Sequence, residues 1–359
     1  MRLAFGKLHN KLGICAAVGL ALAIVPQAPS QPDQPGVNLV STLRGPEQCV
    51  RALSFSPKGD HVAFWGPGKS IQICEIATGK PKHTLAVEGV TEIAYDSAGR
   101  YLAVGFVNHE KAGVPGEIKV FKIGTNELLL VTNRHNPVPS RLTFKPGSEL
   151  LACLCGDGRL RYWDVRSGQI TQVIPDVDKM IRAYCFGVDG HLLAFATDTH
   201  VHIHDLRERK DVAAISSSGM EIRQMSFARR QNSTVLAVIG TRVYKAVVWD
   251  PSTSTWGRVL RVAGQVRILD PATCQPLSTI NIDGADRFKA CPTSSIVVVP
   301  TQDEVIVWDL DKDVRVGVIA YQMSPAFAPA VSLSNAGDLI GIAGRADGTV
   351  DLWKITRGR

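Results

Sequence analysis

The sequence predicts an all-β protein, a seven-bladed β-propeller of four-stranded blades closed by an N-terminal outer strand. Three observations carry that prediction. Short β-type runs recur as one phrase along most of the chain. The phrase returns at roughly 40–45 residues, the length of one four-stranded blade. Glycine (32) and proline (20) are numerous and spread along all 359 residues, a turn-rich composition rather than a low-complexity one. A hydrophobic fraction of 45% with 20% charged residues fits a folded chain and excludes disorder. Aromatics at 6% are too few for a nucleic-acid stacking platform.

In chain order, the first element is a secretory signal peptide over residues 1–30. Arg2, Lys7 and Lys11 form its positive start, and Leu12–Val25 is an unbroken apolar run of 14 residues. That run is short for a spanning helix, which needs about 20 apolar residues. Pro26 breaks it, and Ala28 and Ser30 supply small residues for cleavage after Ser30. The alternative is an uncleaved membrane anchor. The expected location is extracytoplasmic, periplasmic or secreted. Residues 31–37 read as a polar linker and 38–359 as the propeller. The net charge of +7 falls to +4, 37 basic against 33 acidic residues, once the three leader cations are removed. That balance predicts neither a nucleic-acid partner nor, for the body of the chain, a membrane surface.

Each unit opens on an apolar alternation that ends in an aromatic, as in Leu53–Phe55, Leu142–Phe144 and Tyr184–Phe186. Each closes on a pair such as Cys74-Glu75, Phe121-Lys122, Trp163-Asp164, His204-Asp205, Leu269-Asp270, Trp308-Asp309 or Trp353-Lys354. The closures are spaced by 47, 42, 41, 65, 39 and 45 residues. The segments RLRYWDVRSG (159–168) and EVIVWDLDKD (304–313) resemble the third strand of tryptophan–aspartate (WD) repeats, and the resemblance covers roughly residues 38–359. It implies a ring of blades and partner binding on the face where the outer strand of one blade leads into the next. Asn38–Gly45 resembles an outermost strand without inner strands before it, and the last unit stops after its third. The first strand should therefore complete the last blade, which removes exposed sheet edges.

The 65-residue interval contains Thr241–Gly264, and without those 24 residues it is 41. This segment reads as a hairpin inserted between the second and third strands of blade 5. The alternative is a partial eighth blade at Trp249-Asp250. The insert carries Arg242, Lys245, Arg258 and Arg261 against Asp250, with Tyr244, Trp249 and Trp256. Arg with Trp and Tyr is the composition of binding hot spots.

A second candidate surface is a set of arginines at the entrance of the innermost strands. Arg51, Arg182 and Arg223 each stand four residues before a marker Phe; Arg141 and Arg287 lie within one place of that position. A ring of guanidinium groups suits carboxylate or phosphate groups. Acidic neighbours such as Glu221 and Asp286 are the competing partners for them.

No nucleophile elbow, zinc-protease helix or paired-carboxylate signature occurs. Gly66-Pro-Gly-Lys-Ser70 imitates a phosphate loop, but Ala63 stands where glycine is needed and a strand follows. His200, His202 and His204 share one face of a strand and are the weak metal candidates. Eight cysteines, one in the leader, leave seven; Cys153 and Cys155 share a face and are poorly placed to bond each other. They read as small buried hydrophobes. No cofactor is expected. The expected function is a non-catalytic exported scaffold that binds an acidic protein or peptide, with a membrane role only if the leader is uncleaved. The alternative is an enzyme or small-ligand binder with a site in the central channel, metal-assisted in one version.

Overall fold

Seven four-stranded antiparallel sheets form the ring. The computed structural model describes residues 36–356, apart from 46–49, 67–69, 107–115, 136–138, 175–179, 218, 251–254, 286, 322–328 and 345–346; for 130–135, 242–250 and 255–263 it describes the backbone alone. The leader and most of the linker lie outside the described residues. Blade 1 consists of Ala52–Phe55, His61–Trp65, Ser70–Glu75 and Pro81–Ala86, from inner to outer strand. Blades 2 to 6 follow the same order.

Second strands such as His61–Trp65, Leu150–Cys155 and Ile296–Pro300 are apolar without alternation. Radial sheets press on a neighbour through both faces, so a second strand has no solvent side. Seven separate apolar clusters result, one in each seam between blades. The first strand, Val37–Arg44, begins one residue earlier than the sequence suggests. It pairs antiparallel with Thr349–Ile355, from Val37 opposite Ile355 to Arg44 opposite Thr349. It is the outer strand of blade 7, whose inner strands come from the C-terminal end.

The recurring closures have a structural meaning. In all seven blades the register between third and outer strand shifts at the first closing residue: Cys74, Phe121, Trp163, His204, Leu269, Trp308 and Trp353. The bulge turns the chain from the third strand toward the outer one, and the acid that often follows caps that turn. Asp164 accepts from the backbone N–H groups of Arg166 (3.0 Å) and Ser167 (2.7 Å). Buried Asp309 accepts from Asp311 N–H and from Ser295 Oγ, both at 2.9 Å. In the hairpin between first and second strands, at the same end, Gly190 has φ +71°, and a Cβ there would meet the Pro146 carbonyl at 2.5 Å, so glycine is required.

The 24-residue segment of blade 5 is not a separate hairpin set on the blade. The second and third strands run on without a break, as Ser233–Asp250 and Thr255–Leu269, paired from Leu236–Leu269 to Asp250–Thr255. The flanking strands stop at the pairs Glu221–Thr241 and Ala263–Asp283. Beyond them only the two-stranded ribbon continues. Among the described residues no eighth sheet forms.

Candidate interaction surface

In each blade the connection between second and third strands lies at the same end as the entrance of the inner strands. The ribbon and the arginines therefore share one face. Arg51 and Arg182 hold equivalent places, each donating its backbone N–H to the last residue of the second strand, Trp65 O (2.7 Å) and Ala196 O (2.8 Å). Arg223 sits at a register shift between Ile222 and Gln224, where a bulge re-aims the side chain.

The side chains show how far the arginine mouth is committed. Arg182 grips Asp198 with two hydrogen bonds, Nε to Oδ1 at 2.6 Å and Nη2 to Oδ2 at 3.3 Å. That pairing holds the Asp198 carboxyl below its usual range. Arg223 donates to Glu221 Oε2 at 2.9 Å, and Arg141 donates across to the carbonyl of Arg223 at 2.6 Å. Arg51 and Arg287 are exposed. Glu221 is thus the neighbour that competes for an arginine, while Asp286 lies outside the described residues.

The structure adds residues that the sequence reading missed. Ser54, Ala94, Thr143, Cys185, Ser226 and Ser332 align, because each pairs with Ala or Gly on the second strand: Ala63, Ala103, Ala152, Ala194, Ala237 and Gly341. In blade 6 the aligned residue is Lys289, opposite Val298. Two places earlier stand Glu92, Arg141, Gln224 and Arg287. Lys289 of blade 6 feels the charges of Glu92 from blade 2 and Arg141 from blade 3. Blades so far apart meet only across the channel. Lys289 is exposed yet ringed by protein, and desolvation lowers its pKa while raising that of Glu92. The available signal was the inner-strand register, not the arginine spacing.

On the ribbon, the backbone register sets Tyr244 opposite Arg261, Val247 opposite Arg258, and Trp249 opposite Trp256 near its tip. The long connection in blade 2 before Gly116 lies outside the described residues.

The other candidates have ordinary partners. His204 Nδ1 lies 2.8 Å from Asp211 Oδ1, His202 Nδ1 lies 3.5 Å from Asp211 Oδ2, and His200 Nδ1 lies 3.0 Å from Thr199 Oγ1. The His202 ring stacks on Phe195 with centroids 4.9 Å apart. Among the described residues no group of three His, Cys, Asp or Glu could hold a metal ion. Cys153 and Cys155 sulfurs lie 3.5 Å apart, buried and hydrogen-bonded to each other without a disulfide. Cys74, Cys185, Cys274 and Cys291 are also free thiols, and burial pushes the Cys74 thiol up to about 11. A strand follows Gly66, as expected, and begins at Ser70.

A closed ring of seven four-stranded blades defines a β-propeller, and its Trp-Asp closures on third strands resemble those of WD repeats. No family model matches the chain. The WD repeat-containing protein SL1-17 of Schistosoma mansoni is 26% identical over 141 residues, 39% of this chain and 44% of that protein. The chain thus matches less than half the length of that relative. Among solved structures, the β-propeller domain of Cps50 (Swd1) from Myceliophteria thermophila matches with a TM-score of 0.67 and 14% identity, over 89% of this chain and all of that domain. At that identity the likeness speaks for fold alone. The resemblance to WD-repeat propellers read from the repeats therefore holds.

Proposed function

We propose that this chain is an exported, non-catalytic scaffold that binds an acidic protein or peptide through the face carrying the ribbon and the arginines. WD-repeat propellers are generally non-enzymatic scaffolds for protein contacts, which supports the coarser part of the reading. The observation that carries the finer part is the ribbon. Past Thr241 and Ala263 two strands continue with no third strand beside them, and a lone two-stranded ribbon is marginal in water. A partner that covers it, with Tyr244, Trp249, Trp256 and Arg258 as contacts, would supply the missing face. Arg51, Arg141, Arg182, Arg223 and Arg287 at the mouth would meet the partner's carboxylates.

The test is affinity capture from the native extracytoplasmic fraction. Residues 31–359 are compared with a form in which Asn-Gly replaces 242–263. A partner held only by the ribbon-bearing form supports the reading; one held equally by both forms moves the site off the ribbon. Direct fusion of Gly240 to Gln265 is not suitable, because these residues are cross-strand partners and a hairpin turn needs two residues between its strands.

A second reading, a small ligand in the channel, draws on Glu92, Arg141 and Lys289, which come within range of one another's charge. Lys289→Ala would abolish such binding and leave capture of a ribbon partner unchanged.

A further inference from the structure

At the opposite face, the seam between blades 1 and 2 encloses a cavity of about 140 Å³. That space is on the order of ten water volumes, since a single water needs roughly 10–15 Å³ on this measure, which is room for a tetrahedral oxyanion with accompanying waters. Its walls come from the inner hairpin of blade 1, the start of that blade's outer strand, and the inner-strand end and turns of blade 2. The polar groups in it are Lys58, Asp60, His61, Lys82, His83 and Tyr95, with Ser56 behind Asp60.

Three features point to an anionic ligand. First, the one carboxylate is already occupied. Asp60 Oδ1 accepts from Ser56 Oγ at 2.7 Å and from His61 Nδ1 at 2.8 Å. His61 Nε2 lies 3.1 Å from Lys82 Nζ. Lysine has only donors, so Nε2 accepts and Nδ1 carries the proton. Blade 7 has the same Ser-to-Asp hairpin contact, Ser334 Oγ to Asp338 Oδ1 at 2.8 Å; Leu339 follows there in place of a histidine. The contact is thus a device of the hairpin, and blade 1 has added cations to it. Second, the remaining groups are donors or cations. Burial first, and then nearby positive charge led by Lys82, hold the His83 pKa below its usual value. Third, the Tyr95 hydroxyl is sealed from solvent and has no hydrogen-bond partner among the described residues. A buried donor without an acceptor is costly, and an oxyanion in the cavity would satisfy it after a small shift of the side chains that close the hydroxyl off.

We propose that this cavity binds a small tetrahedral oxyanion, free phosphate or a phosphate monoester, with Lys58, Lys82, His83 and Tyr95 as its donors. The site is independent of the ribbon face, so partner capture and oxyanion binding can fail separately.

The test follows the imidazole resonances of His83 and His61 in the folded chain by NMR. Inorganic phosphate is titrated in one arm, and a phosphoserine peptide beside its unphosphorylated form in the other. The expected result is a saturable, one-to-one shift with phosphate. Lys82→Met should weaken binding about tenfold, the scale of one charge-assisted hydrogen bond. Tyr95→Phe should weaken it severalfold without lowering Tm. Tighter binding of the phosphoserine peptide would assign the site to a phosphorylated protein; binding of the free ion alone would assign it to inorganic phosphate. No saturable shift in either arm overturns the proposal. So does wild-type phosphate affinity in both variants, and a Tyr95→Phe that raises Tm with unchanged affinity makes the orphan hydroxyl a folding cost only.

Discussion

The two faces of the ring use their cations differently. On the ribbon face, Arg182 is locked onto Asp198 and Arg223 onto Glu221. On the opposite face, His61 stands between Lys82 and Asp60, and the carboxylate is held within the hairpin. The difference teaches that a count of basic residues at a rim does not measure its capacity for an anionic partner. What counts is which cations already have carboxylates. A partner at the ribbon face must displace or share Asp198 and Glu221, whereas an oxyanion at the opposite face meets Lys58, Lys82 and an orphaned Tyr95 hydroxyl.

The largest expected effect concerns the frame that carries both faces. Phe227 is fully buried in the seam of blades 4 and 5. Phe227→Ala should cost about 3–5 kcal/mol, read as a fall in the denaturation midpoint, and should impair both faces together. A loss confined to one face would show that the blades fold less cooperatively than the closed ring implies.

Replacing 242–263 with Asn-Gly should leave Tm within a few degrees of the wild type, because the ribbon adds no strand to any seam. The same replacement should leave phosphate binding at the other face intact. Collapse of cooperative melting would make the ribbon part of the core.

Charge reversal at Arg51, Arg182 and Arg223 should weaken partner capture in a salt-dependent way. The single change Asp198→Asn, which releases Arg182, should strengthen it. If both leave capture unchanged, the arginines are solvated surface. In the folded chain alone, losing the Arg182–Asp198 pair should cost less than about 1 kcal/mol, since both side chains are largely solvent-exposed.

The smallest effects lie in pH. The folded pKa of His83 is lowered from 6.5, so the unfolded chain binds more protons just below that value. Stability should fall as pH drops through that window. Phosphate should reduce the decline, because a bound anion favours the protonated imidazole. The Asp198 carboxyl is lowered instead, so its contribution is present above its unfolded value of 3.8 and is lost at lower pH. A pH titration of unfolding with and without phosphate would separate the two faces.

How much of this was legible in the sequence differs between frame and site. The blade period, the closures and the strand that completes blade 7 were legible, because each blade repeats the same local solution. An apolar second strand, a bulge at the closing residue and a capped turn are all written within about 40 residues. The extent of the insert was legible as a break in that period. Its form was not: a shift from inserted hairpin to continuous strands depends on register along 15 paired positions, which periodicity does not encode. Arg182 and Arg223 were found by their spacing, but their partners Asp198 and Glu221 lie on hairpin turns and strand starts whose approach depends on side-chain geometry.

The sequence by itself determined a closed, seven-bladed ring that resembles WD-repeat propellers, since that information is local and repeated. The tertiary structure alone decided which charges meet. Glu92, Arg141 and Lys289, from three blades, come within range of one another's charge, and Lys82, His61 and Tyr95 gather in one seam from two. The first meeting needs ring closure, which brings together residues about 200 positions apart; the second needs only the packing of two consecutive blades. A linear pattern carries no signal for a contact that only closure creates.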